Sequence, residues 1–158
     1  MRRLCPVWGR QVAACLLAAA FGAGCGHDET PSPPQVTING KTWFVDLAVT
    51  PEQQSQGLAG RRTLSQDVGM LFIFPSAEVR DFWMRGCLIP IDIAFLGDDM
   101  RVVQTHTMAV EPDLIGRTLY SSRLPARFAL EVAAGSLGPA GVKVGDLAVF
   151  SGNIPTGK

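Results

Sequence analysis

The chain is short of the residues that build the commonest functional sites. Of its 158 residues only four are cysteine, two histidine and one tyrosine. No glycine fingerprint for phosphate occurs, and no alternating β–α–β pattern would give such a loop its setting, so Rossmann and P-loop readings fall away. No apolar run reaches the roughly 20 residues that a membrane-spanning helix needs. Lys and Arg (14) do no more than balance Asp and Glu (14). Without clustered basic side chains there is no surface for a phosphate backbone, which argues against nucleic acid as a partner. No internal repeat divides the chain.

The N-terminus holds what is missing elsewhere. Arg2, Arg3 and Arg10 form a positive start, Val12 to Phe21 an apolar stretch, and Gly22-Ala23-Gly24 a run of small residues before Cys25. This is the build of a secretory signal. A Cys in that place resembles a bacterial lipobox, in which Cys25 becomes the lipidated first residue of the mature chain; Gly22 stands where the motif usually has an aliphatic residue. Arg2-Arg3 is not followed by a twin-arginine pattern, so export by the general route is expected. Gly26 rather than Asp follows Cys25, which favours the outer over the inner membrane. The expected organisation is a signal over 1–24, a lipidated Cys25 with a Pro-rich tether over 25–35, and one globular domain over 36–154. Loss of 1–24 leaves 11 Lys and Arg against 14 Asp and Glu, a formal charge of −3. With Cys5 and Cys15 gone and Cys25 lipidated, Cys87 has no thiol to pair with.

Within the domain, Val36-Thr-Ile38 and Lys41 to Val49 flank Asn39-Gly40, the strongest short hairpin signal. Thr50-Pro51-Glu52-Gln53 reads as a helix start with a capping box, ended by Gly57 or Gly60. Gly69 to Phe74, stopped by Pro75, and Phe82-Trp83-Met84 read as buried strands. Ile91 to Leu96, the turn Gly97-Asp98-Asp99 and Arg101 to Met108 make a second hairpin. Residues 109–126 show no period and are expected to be a long loop or a partner-facing excursion. Arg127 to Ala133 is a strand, Ser136 to Gly141 one helical turn, and Leu147 to Phe150 a last strand. Together these predict a mainly β, α+β domain, with a curled antiparallel or mixed sheet forming a small barrel-like body and one or two short helices.

Candidate chemistry is thin. Cys87 would need a base such as His106 to act as a nucleophile, and nothing around Gly86-Cys87-Leu88 forms a nucleophile signature; a small buried hydrophobe is the simpler reading. His106 and Met108 share one side of a strand, and with Met70, Met84 and Cys87 they could supply soft ligands to cuprous copper, though Met is equally core filler. Asp92 and Glu131 are lone acids in apolar runs. As a pair they could do acid–base work in a hydrolase, and otherwise they are structural ion-pair members. Trp43 and Trp83 could line a cleft for a flat ligand or pack in the core.

The order of motifs Gln56-Gly57-Leu58-Ala59-Gly60-Arg61, Leu64, Gly69-Met70-Leu71-Phe72-Ile73-Phe74, Phe82-Trp83-Met84-Arg85, Ile89-Pro90-Ile91-Asp92-Ile93-Ala94-Phe95, Leu130-Glu131-Val132, Gly135 and Gly145-Asp146 resembles the domain-of-unknown-function family 192 over roughly 45–150. This chain has Gln54 where the family has Arg and Ala59 where it has Met. Arg85-Gly86-Cys87 stands where the family has Lys-Asn-Thr. The resemblance implies a small α+β domain with a curled sheet and no established activity, and it supplies no catalytic residue and no cofactor.

The function expected from the sequence is therefore an exported, membrane-anchored lipoprotein facing the periplasm, whose domain binds a small ligand or a protein partner without catalysis. Its functional surface is expected at Arg61, Met70, Trp83, Arg85, Cys87 and Asp92. The alternatives are a periplasmic hydrolase using Asp92 and Glu131, and a cuprous copper protein using His106 and Met108 with Met or Cys ligands.

Overall fold

Asn39 and Gly40 both take positive φ (50° and 80°), the geometry of a type I′ turn, whose twist matches that of the strands it joins. They connect β1 (Gln35–Ile38) to β2 (Lys41–Ala48). The computed structural model describes residues 32–156; the expected signal, Cys25 and most of the tether lie outside the described residues. After β2, Thr50 caps α1 (Pro51–Gln56): its hydroxyl accepts from the Gln53 amide at 3.3 Å, and the Gln53 side chain accepts in return from the Thr50 amide at 3.0 Å. The helix ends at Gly57, whose φ of 49° suits glycine. Gln54 donates to the Ile73 carbonyl at 2.9 Å and so pins α1 to the next strand.

That strand, β3 (Val68–Glu78), runs past Pro75 rather than stopping at it. Its ladder with β8 (Ala126–Ala133) pairs Ile73 with Phe128 and resumes only at Glu78 with Ala126, so Pro75 sits in the irregular stretch where no regular rung needs its missing N–H. The remaining strands are β4 (Asp81–Phe82), β5 (Ile91–Leu96), β6 (Val102–Met108), β7 (Tyr120–Ser121) and β9 (Ala148–Ser151). Seven of the nine described strands form one sheet in the order β6-β5-β8-β3-β2-β1-β9. All its pairings are antiparallel except β2 with β3, which α1 joins as a crossover. The sheet curls until its two edges meet: Arg101 bridges Leu147, and the Ala148 amide donates to the Met100 carbonyl at 2.9 Å. The outcome is the expected mainly β half-barrel with one short helix.

Three local expectations change. Phe82 to Met84 is a strand only at Asp81–Phe82, and Trp83 is 40% exposed. Residues 109–126 contain β7, which pairs with β4 as a separate two-stranded ribbon. Ser136 to Gly141 makes turns, not a helix. Gly138, Pro139 and Gly141 disfavour a helix there, and the Asp92 carboxylate holds the preceding turn by accepting from the Gly135 and Leu137 amides at 2.9 and 3.1 Å.

Period-two alternation splits the apolar side chains between two faces. All seven strands send residues to one buried cluster, among them Val36, Trp43, Leu71, Ala94, Leu130 and Val132, which places it on the concave side. The convex side carries Met70, Phe72, Phe74, Ile91, Ile93 and Phe95. It is covered by residues outside the sheet, namely Leu58 beyond α1 and Phe82, Met84 and Cys87 between β3 and β5. Each large side chain wholly buried this way is worth about 1.5–3 kcal/mol.

Candidate functional site

Glu131 is placed by this alternation. On β8 it lies between Leu130 and Val132 of the concave core, so its own side chain emerges on the convex side, in register with Met70 of β3 and Ile93 of β5. Close approach of β3 and β8 is required here: a Cβ on Gly69 would stand 2.5 Å from the Glu131 carbonyl oxygen. The cover does not close fully over the acid. A cavity of about 400 Å³ remains between α1, the Gly57-Leu58 turn, Phe72, Phe74 and the 79–87 segment, and Glu131 is part of its lining.

The acid is only 4% exposed, and its Oε2 has no hydrogen-bond partner. Burial without a compensating charge pushes its pKa up to about 8. Cys87 borders the same cavity at 6% exposure. Its thiol is pushed up to about 11, first by burial and then by the charge Glu131 carries once ionised. At neutral pH both groups are therefore uncharged.

One wall is aromatic, and α1 lines the other with Gln54, Ser55 and Gln56. Phe82 meets Phe72 edge-on at 4.9 Å, Phe95 at 5.3 Å and Phe74 at 6.4 Å. Arg80 lays its guanidinium over the Phe74 ring at 4.2 Å and is held there by the Ser76 carbonyl at 2.7 Å. At the mouth, Arg85 stacks over exposed Trp83 at 5.0 Å, and its Nε donates to the Ile115 carbonyl at 3.2 Å. Gly116 presses on this step: a Cβ there would lie 2.8 Å from the Arg85 nitrogen, at a φ of 77°. The 109–119 excursion thus supports the mouth from behind. Its own shape is set by Glu111, whose carboxylate accepts from the Gly116, Arg117 and Thr118 amides at 2.8 Å each. Those bonds hold the Glu111 pKa below the usual carboxylate range.

Of the six residues expected to form the functional surface, Trp83, Arg85 and Cys87 line the cavity. The other three do not. Arg61 is tied to Asp46 at 2.5 Å on the surface. Met70 is packed in the convex-side core. Asp92 points to the concave side, where Thr107 donates to it at 2.7 Å in addition to the two amides of the 135–137 turn. The sheet itself therefore separates Asp92 from Glu131, and an acid–base pair has no geometry. Trp43 is wholly buried in the concave core and lines no cleft.

The remaining candidates are engaged otherwise. His106 Nε2 is 2.8 Å from the Ser121 carbonyl, and its ring meets Phe95 and Tyr120. Cys87 Sγ donates weakly to the Arg85 carbonyl at 3.8 Å. Met84 and Met108 are fully buried. Among the described residues no group of three or more His, Cys, Asp and Glu side chains is placed to hold a metal ion. Sequence reasoning missed Phe72, Phe74, Phe82 and Arg80 as site residues. The spacing of two between Phe72 and Phe74 was the available signal, since it sets both rings on one side of β3.

The sequence pattern of the DUF192 family, described as an uncharacterized ACR, matches residues 34–150. No curated protein matches the chain. Among solved structures, the chain is similar to a protein of Sinorhizobium meliloti named as a candidate transcription regulator. The two share 30% identity and a TM-score of 0.68 over 76% of this chain and 95% of that one. It is also similar to a protein of unknown function from Novosphingobium aromaticivorans, with 29% identity and a TM-score of 0.67 over 87% and 99% of the two chains.

Proposed function

The chain belongs to the DUF192 family, and we propose that its domain binds a small organic molecule in the convex-side cavity while Cys25 tethers it to a membrane. The observation that carries this reading is the Glu131 carboxyl, buried and unpartnered, at the floor of a cavity walled by Phe72, Phe74 and Phe82 and opening at Trp83 and Arg85. A buried polar atom without a partner carries a desolvation penalty of about 1–3 kcal/mol, which a ligand group can relieve. The volume lies in the range of small-molecule sites, roughly 300–1,000 Å³, and the lining sets the aromatic side chains opposite polar ones of α1. Trp83 supplies a flat apolar surface at the entrance. Arg85 has no other hydrogen bond than that of its Nε among the described residues, so its terminal nitrogens are free to meet an anionic group.

Saturable binding of an anionic apolar dye, anilinonaphthalene sulfonate, to the purified full chain tests the site. Trp83→Ala and Arg85→Glu are each expected to weaken it by about tenfold, the scale of one aromatic or charge-assisted contact. Binding that is non-saturable, or unchanged from the unsubstituted chain in both variants, overturns the proposal. The address rests on the sequence around Cys25 and its tether, and a periplasm-facing outer-membrane lipoprotein is the form proposed. Cys25→Ser should then move the protein from the membrane to the soluble fraction, and an unchanged distribution ends that part of the reading.

A further inference from the structure

Glu131 and Arg85 place opposite charge preferences at the two ends of one cavity with an aromatic wall. The acid sits at the buried end, 4% exposed beside Cys87, and the arginine at the solvent end over Trp83. No described cation reaches the acid, whose Oε2 is unpartnered, and the short distance to the Gly57 position (3.8 Å to a Cβ there) shows that the oxygen faces the cavity wall next to α1. Only a hydrogen-bond donor satisfies a carboxylate, and a protonated amine does so with a full charge. Aromatic edges and faces around the acid suit an ammonium, which they attract electrostatically.

Resting on the reading of the cavity as the binding site, we propose that its ligand is a short zwitterion, with a primary ammonium bonded to Glu131, an apolar body along Phe72, Phe74 and Phe82, and an anionic group at Arg85. The other charged and titratable groups bordering the cavity are Arg80, Asp81 and Cys87. Arg80 is committed to Phe74, the Ser76 carbonyl and Glu78, Asp81 stands at the rim, and the Cys87 thiol stays neutral. Because the free acid holds its proton up to about pH 8, docking an ammonium ion releases that proton to solvent and leaves a carboxylate paired with the amine. Affinity then rises with pH by up to about tenfold per unit below that value.

Calorimetric titration of the full chain with aminohexanoate, hexylamine and hexanol tests this. The expected order is aminohexanoate tightest and hexanol weakest. Glu131→Gln should weaken the two amines by about 10- to 100-fold, the scale of a charge-assisted hydrogen bond, and leave hexanol unaffected. The unsubstituted chain gives an independent reading: titration of hexylamine at pH 7 in two buffers of different ionisation enthalpy should show release of nearly one proton. Equal binding of hexanol and hexylamine with no proton release overturns the amine assignment while the cavity remains a site. Aminohexanoate no tighter than hexylamine removes the anionic end. Absence of binding by any of the three, together with no dye binding, overturns the cavity reading as well.

Discussion

Asp92 and Glu131 lie on neighbouring strands one register step apart, both nearly sealed from solvent, yet they have opposite circumstances. Asp92, on the concave side, accepts three hydrogen bonds, two from backbone amides and one from Thr107. Glu131, on the convex side, leaves Oε2 with none. The first carboxylate organises the turn that follows β8, and its removal strands donors that have nowhere else to go. The second stabilises nothing visible, and its burial works against its ionisation. A buried acid that is fully bonded belongs to the fold. One that is unbonded and borders a cavity is the candidate for the proposed ligand contact.

The largest effect expected from breaking this contrast is at Asp92. Asp92→Ala should lower stability by about 3 kcal/mol in urea denaturation, because the Gly135 and Leu137 amides and the Thr107 hydroxyl lose their acceptor. A loss under about 1 kcal/mol would make the two acids equivalent. Gly69→Ala follows, since its methyl group meets the Glu131 carbonyl at 2.5 Å and must push β3 from β8; about 2 kcal/mol of destabilisation is expected.

Glu131→Leu should be neutral or stabilising by about 1 kcal/mol, as an unpartnered acid gives way to an apolar group in an apolar surround. The pH dependence sharpens this. Glu131 holds its proton more tightly folded (about 8) than at its ordinary value near 4.5. The folded chain therefore binds more protons between those values, and stability falls as pH rises through the window. Glu131→Gln should flatten that part of a stability-versus-pH curve, and an unaltered slope would place its cause elsewhere. The smallest effect is at Glu111, an exposed acid held below its usual pKa by three amides. Its contribution is present above the ordinary carboxylate range and lost as pH falls through the lowered value. Glu111→Gln should speed hydrogen exchange at Gly116, Arg117 and Thr118 and leave the global transition in place.

Much of the fold was legible because its signals are local. Asn39-Gly40 demands a two-residue turn, Thr50 and Gln53 a helix cap, and the short apolar runs of Ile91 to Leu96 and Arg127 to Ala133 a strand, each through chemistry within a few residues. The errors fall where distant partners decide. Pro75 lies in a strand because β8 breaks register beside it, and the turn after β8 is held by Asp92, 43 residues from Gly135 in sequence. The site was half legible for the same reason. Trp83, Arg85 and Cys87 are close in sequence and stay together. Glu131 stood out as a lone acid, but its pairing with Asp92 required knowing that the sheet runs between them. The convergence of Phe72, Phe74 and Phe82 under it depends on how the cover folds back.

The cover itself carries a built-in timer. With its pKa near 11, Cys87 holds roughly one thiolate in ten thousand at pH 7, and the side chains of the 79–87 segment shut out bulky reagents. An alkylating probe too wide to pass the cavity mouth can react only when that segment lifts from the sheet. The rate of Cys87 modification in the native protein therefore counts how often the roof opens, separately from how often the whole domain unfolds. A small molecule that seats beneath the roof and holds it down would slow that clock, so a single thiol becomes a way to screen for the occupant without knowing in advance what it is.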